Sequence, residues 1–157
     1  MKTIKIDLYS FKELSKEAKA KVISKLSDIN VDHKWYDFTY EDAENIGLKI
    51  EESDWEYATA KGEFTMSAPE VAEKIKEGHG KKCETYKIAS AFLNSIEGEK
   101  DDDKLTELED LFLRVLLKEY GKMLREEWLY LQSEKAIIET IESNEYTFEA
   151  DGKMRNA

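Results

Sequence analysis

From Leu105 onward the chain carries one apolar stripe at helical spacing for many turns. Leu105, Leu108, Phe112, Val115, Leu116, Met123 and Leu124 keep the stripe, and Trp128 and Leu131 extend it. A period near 3.6 residues sustained this long specifies a long amphipathic helix, which must bury one face against other elements. Gln132-Ser133 interrupts it, and Ser133 is placed to cap a last helix through Ile137, Ile138 and Ile141.

Ahead of that helix the pattern changes repeatedly. Ile4, Ile6 and Leu8 alternate with Lys5 and Asp7, the period-two signature of a half-buried strand. Ser10-Phe11-Lys12-Glu13 has the form of a capping box and Ser15 offers a second cap. Ala18, Val22, Leu26 and Ile29 then form one stripe whose lysines face water. A second helix is expected over Trp35 to Ile46, stopping at Gly47 in the left-handed position that glycine favours. Alternation predicts strands over about 48–57 and 60–66, with Gly62 at a bulge or bend. Ser67 and Pro69 mark the start of a helix that ends near Gly78-His79-Gly80, and another runs from about Cys83 to Ile96. Residues 98–103 read as a charged loop. Tyr146-Thr147-Phe148 reads as a strand followed by the hairpin signal Asp151-Gly152, with residues 153–157 as a frayed tail. The expected fold is α+β in a single compact domain, 1–157. One small antiparallel sheet of about three to five strands would carry helices on one face, the long C-terminal helix among them.

Composition narrows the function classes. The net charge of −11 is unevenly spread: the first 31 residues hold 7 lysines against 4 acids, residues 32–77 hold 13 acids against 5 lysines, and residues 97–110 hold 8 acids against 2 lysines. Such clustering builds a directional negative field that attracts basic partners and repels nucleic acid. Cys83 is the only cysteine, so no intramolecular disulfide forms and a reducing compartment fits. The N-terminal segment breaks its apolar residues with charges, unlike a signal peptide. No apolar run approaches the ~20 residues that span a bilayer, so a cytoplasmic protein without a membrane partner is expected.

Candidate chemistry is sparse. His79 and Cys83 lie four residues apart, and on a continuous helix thiol and imidazole would share a face, with Lys81 and Lys82 favouring a thiolate. The glycines at 78 and 80 argue against that helix, which leaves a loop histidine beside a buried, inert cysteine. Two histidines and one cysteine cannot fill a structural zinc shell without carboxylates. Glu51/Glu52 and Asp101/Asp102/Asp103 do not match a calcium-binding loop. No G-x-G-x-x-G, P-loop or G-x-S-x-G motif is present. The residues therefore predict no catalytic centre, no metal and no cofactor. Lys12, Lys16, Lys19, Lys21 and Lys25 give the N-terminal helix a basic face, an ordinary solvated surface or a minor route to RNA.

The segment Trp35-Tyr36-Asp37-Phe38-Thr39-Tyr40-Glu41-Asp42 places four aromatics in six residues. On a helix Trp35, Phe38, Asp42 and Ile46 share one face, and Tyr36, Tyr40 and Ala43 another. Either one set enters the core and leaves aromatics with an acidic rim, as a protein interface has, or both sets pack.

Three stretches carry a resemblance: Tyr40-Glu41-Asp42-Ala43-Glu44-Asn45-Ile46-Gly47-Leu48-Lys49-Ile50, Cys83-Glu84-Thr85-Tyr86-Lys87, and Ala136-Ile137-Ile138-Glu139-Thr140-Ile141-Glu142-Ser143-Asn144-Glu145-Tyr146. Together they resemble a family of small acidic proteins of bacterial phages and mobile elements, especially of the Bacteroidetes, labelled antitoxins of toxin–antitoxin systems. The likeness spans nearly the whole chain, and its last segment is the most specific. It departs where that family continues with a Phe-Asp-Leu-Asp-Arg-like strand, since Ser53-Asp54-Trp55-Glu56-Tyr57 stands there. The resemblance brings no catalytic residues. It implies a phage-borne protein that binds and disables host machinery in the bacterial cytoplasm.

The expectation is a non-enzymatic inhibitor, monomeric or homodimeric, of anti-CRISPR type. Its acidic face would occupy the basic nucleic-acid channel of a CRISPR effector nuclease, where carboxylates replace phosphates. Asp37, Tyr40, Glu41, Glu44, Glu51, Glu52 and Asp54 form the expected partner-binding set, with Asp101, Asp102 and Asp103 as a second patch. The alternatives are an antitoxin that caps a toxin, and an inhibitor that touches RNA through the lysine-rich helix.

Overall fold

The computed structural model describes residues 2–155. In chain order the elements are β1 (Tyr9–Ser10), a 3-10 turn (Phe11–Glu13), α1 (Lys16–Lys25), α2 (Asp37–Asn45), β2 (Leu48–Asp54), β3 (Thr59–Phe64), α3 (Ala68–Gly78), α4 (Glu84–Ile96), α5 (Asp102–Leu131), α6 (Glu134–Ser143), β4 (Thr147–Phe148) and β5 (Met154–Arg155). The α+β expectation holds, and the long C-terminal helix is α5, 30 residues. Among the described residues no helix is long and apolar enough to cross a membrane. Length suggested one compact domain; within the chain two compact units can be told apart. One comprises residues up to 35 with those from 128 onward, the other residues 36–127.

In the first unit α1 packs on α6, and both share an apolar cluster with Phe148 of the sheet β1-β4-β5. Ser15 accepts from the Ala18 amide at 3.1 Å and Ser133 from the Ala136 amide at 3.2 Å, so both predicted caps form. Phe11, Leu14, Val22, Ile137, Ile141 and Phe148 make the core, with Phe11 edge-on to Phe148 at 6.5 Å. Buried Asn30 donates to the Leu131 carbonyl at 2.9 Å and accepts from the Thr140 hydroxyl at 2.6 Å. Its amide is satisfied, as a buried polar group must be.

Two expectations fail here. The predicted strand through Ile4, Ile6 and Leu8 is absent: these residues are 79%, 47% and 50% exposed, and pairing begins only at Tyr9. The partner β4 is two residues long, so the ladder ends before the alternating segment and its apolar face has no sheet to cover. The terminal strands and the central hairpin also do not share a sheet: the order is β1-β4-β5 in one and β2-β3 in the other. Within the expected frayed tail, Met154 and Arg155 pair with Phe148 and Thr147; residues 156–157 lie outside the described residues.

The second unit joins the β2-β3 hairpin to four helical segments. Gly47, at φ +88°, ends α2 as predicted and turns the chain into β2. The β2-β3 register shifts between Ile50 and Glu52, so Glu51 is the extra residue of a bulge opposite Gly62-Lys61. Ser67 caps α3 with proline in its first turn. Val71 and Ile75 from α3, Ala89 and Phe92 from α4, Leu48 from β2, and Phe112, Leu116 and Tyr120 from α5 form the core. Phe92 stacks on Phe112 at 4.3 Å and 8°. On α5, a Cβ at Gly121 would lie 2.5 Å from the Ala58 carbonyl oxygen, so only glycine lets the helix press against the hairpin turn.

Candidate functional site

Asp42 of α2, His79 just past α3, Thr85 of α4 and Tyr120 of α5 form one hydrogen-bonded network. Alanine at 43 and Ile46 bury the inner face of α2, and that phase turns Asp42 half inward. Tyr120, fully buried on α5, donates its hydroxyl to Asp42 Oδ2 at 2.7 Å. His79, which ends α3, lies with Nε2 3.1 Å from Asp42 Oδ1 and Nδ1 2.6 Å from Thr85 Oγ1, in the first turn of α4. A carboxylate only accepts, so Nε2 carries the proton; in the neutral imidazole the Thr85 hydroxyl then donates to Nδ1. Burial, with the Asp42 carboxylate beside it, holds the Tyr120 phenol far above its ordinary range.

Carboxylate, imidazole and hydroxyl in series is the order of a nucleophile relay. Here the hydroxyl belongs to a residue only 4% exposed. The chain of bonds fastens α2, the α3–α4 connection and α5 to one another, and every member has a partner. A pocket of about 420 Å3 opens beside it, lined by Cys83, Glu119 and Met123 as well as by Asp42, His79 and Thr85. Glu119 is held above its ordinary range chiefly by desolvation, with Glu84 and Glu126 nearby adding to it and Lys122 opposing. Among the described residues no group of three or more histidines, cysteines or acids is placed to hold a metal ion.

Among the described residues His79 and Cys83 are not hydrogen-bonded to each other. The imidazole nitrogens are engaged by Asp42 and Thr85, and Cys83 is the N-cap residue of α4 with its thiol exposed rather than buried. The predicted helix break between them is present: α3 ends at Gly78 and α4 begins at Glu84.

The expected partner-binding residues separate into three groups. Asp37, Glu41 and Glu44 are exposed on α2 at i, i+4 and i+7, one stripe. Phe38 stands beside them, 86% exposed. Of the two aromatic sets in this segment, Tyr36 and Tyr40 turn inward and Phe38 stays out. Tyr40 is therefore a framework residue: its hydroxyl bonds Ser53 Oγ at 2.7 Å, Trp55 Nε1 donates to the same oxygen at 3.1 Å, and Tyr36 packs on both rings at 5.2 and 5.4 Å. Glu51 and Glu52 are exposed on β2, and Glu52 pairs with Lys61 at 3.4 Å. Asp54 accepts the Glu56 and Tyr57 amides at 3.1 and 3.3 Å and so shapes the hairpin turn. Arg125 holds that turn to α5 through the Trp55 and Glu56 carbonyls.

Asp101, Asp102 and Asp103 have a local role. Asp101 accepts the Asp103 amide at 2.9 Å at the head of α5, and Asp102 and Asp103 occupy its first turn, where acids favour the helix dipole. Within the expected loop over 98–103, the last two residues are thus helical. His79 and Tyr120 were not foreseen as partners of Asp42, because the bonds join residues 37 and 78 apart in sequence and periodicity carries no such information. Comparison of the chain with family models, curated proteins and solved structures gives no match.

Proposed function

We propose that this chain is a non-enzymatic inhibitor whose α2 face docks on a basic, nucleic-acid-handling surface of a bacterial protein. The observation that carries the reading is Phe38, 86% exposed beside the Asp37, Glu41 and Glu44 stripe. An aromatic ring left in water on a helix, rimmed by carboxylates that form no ion pair among the described residues, has the makeup of an interface anchor with a polar rim. Charge supports the same choice of partner. The first unit holds 11 basic and 11 acidic residues, the second 13 and 24, so the whole net charge of −11 belongs to the unit bearing α2. A lysine- and arginine-lined channel is the complementary surface, and a carboxylate stripe on it competes with guide or target strand. A CRISPR effector nuclease is the partner of first choice. A toxin is the alternative, distinguished by rescue of growth on co-expression.

The reading is tested by co-purification from the bacterial host, followed by affinity measurement on the retained protein. Phe38→Ala and the pair Glu41→Lys/Glu44→Lys should each weaken binding at least about tenfold while leaving the thermal midpoint within about 2 °C, since these side chains are exposed. Cys83→Ser should bind as the parent does. Unchanged affinity in both α2 variants would overturn the proposal.

A further inference from the structure

The sheet of the first unit has an open edge. In the order β1-β4-β5, β1 stands at one end, so among the described residues one side of it carries no strand. Just ahead of it lie the exposed Ile4, Ile6 and Leu8, alternating with Lys5 and Asp7. None of Lys2, Lys5 and Asp7 forms an ion pair among the described residues. The next charges along the chain are engaged: Lys12 with Glu142 at 4.0 Å, and Glu13 as acceptor of the Ser10 amide at 2.8 Å. An open edge that continues into an alternating apolar segment is a template for another strand. Charged residues beside such an edge restrict which strand, and in which register, can pair with it.

We propose that residues 3–9 pair antiparallel with the same residues of a second copy, centred on Ile6, and join the two sheets edge to edge. In that register Ile6 faces Ile6 of the second copy, Ile4 faces its Leu8, and Lys5 faces its Asp7; the two-fold axis repeats each pairing. It is the only antiparallel register that sets all three apolar residues against apolar ones. Moving Ile6 opposite Ile4 sets Lys5 against Lys5 and Leu8 against Lys2. Moving it opposite Leu8 sets Asp7 against Asp7 and Ile4 against Ser10. A slip of one residue places apolar side chains against Lys5 and Asp7, and parallel pairing in step opposes like charges at both positions. At the ends of the favoured register Lys2 reaches Ser10 of the second copy, whose amide is held by the Glu13 carboxylate. Two copies can meet here without mutual repulsion, because the first unit balances 11 bases with 11 acids while the second carries the excess. The α2 proposal concerns the other unit, so neither proposal rests on the other.

The test is sedimentation equilibrium of the full chain at concentrations up to about 1 mM. One strand pair buries less than the roughly 1,200 Å2 of stable interfaces, so the dissociation constant should be on the order of 0.1 mM. Lys5→Asp and Asp7→Lys should each weaken the dimer about tenfold, as two cross-strand ion pairs become like-charge pairs. The two variants change net charge in opposite directions, so an effect of overall charge would strengthen one and weaken the other. An equimolar mixture of them should associate as tightly as the parent, because the acids of one chain then face the lysines of the other. The exchange Lys5→Asp/Asp7→Lys within one chain should also keep the parent's affinity. Ile6→Asp should leave only monomer with the circular dichroism spectrum unchanged, whereas Phe38→Ala and Leu111→Asp should dimerise as the parent does. Monomer throughout the range, a mixture no tighter than either variant alone, or opposite effects of the two single variants overturns the proposal. So does a dimer that survives Ile6→Asp, or one that Phe38→Ala or Leu111→Asp dissociates.

Discussion

Asp42 shows how one residue can be exposed enough to look like surface charge and still belong to the framework. It accepts from Tyr120 and His79 at once, and Tyr120 is the buried member. Tyr120→Phe removes one donor from a carboxylate that keeps the other, so it should cost about 2 kcal/mol at neutral pH. The pH dependence distinguishes this from lost packing. The folded phenol is held above its ordinary value of 10.0, so above that pH the unfolded chain releases the proton while the folded chain keeps it. Stability conferred by the tyrosine is therefore complete below about pH 10 and falls as pH rises beyond it. Urea unfolding at pH 8 to 11 should show the gap between parent and Tyr120→Phe narrowing at the alkaline end. A constant gap would mean that the phenol ionises freely in the folded state.

At the scale of elements, sequence patterns served best where the structure they specify is local. Ser15, Ser67 and Ser133 cap the helices they precede, Gly47 ends α2, and the stripe from Leu105 to Leu131 lies within α5. Alternation at Ile4, Ile6 and Leu8 misled because a strand needs a partner, and the partner's length is set elsewhere in the chain. The site was legible to the same extent. The acidic residues of α2 are where the helix period puts them, but which aromatic set would enter the core depended on Ser53 and Trp55 across the hairpin. Gly121 is a comparable case, an unremarkable glycine in a helix until the hairpin turn is seen against it. Gly121→Ala improves helix propensity by about 1 kcal/mol yet drives a methyl into the Ala58 carbonyl, so overpacking should win with a net loss of about 1–3 kcal/mol. A gain in the thermal midpoint would show that the turn yields without cost.

For the molecule as a whole, the division of charge argues more than its total. Eleven basic and eleven acidic residues cancel in the first unit, and the second keeps an excess of eleven acids, 24 against 13. A negative charge spread evenly would serve solubility; one confined to residues 36–127 concentrates the field on the unit that bears α2. Salt tests the proposed docking of α2 on a basic protein. An interface that draws on many carboxylates should lose affinity at least about tenfold between 50 and 500 mM sodium chloride, chiefly through a slower association rate. A salt titration of the co-purified complex measures the slope. A slope near zero would mean that the complex is held by apolar contact at Phe38 and not by the field of the unit.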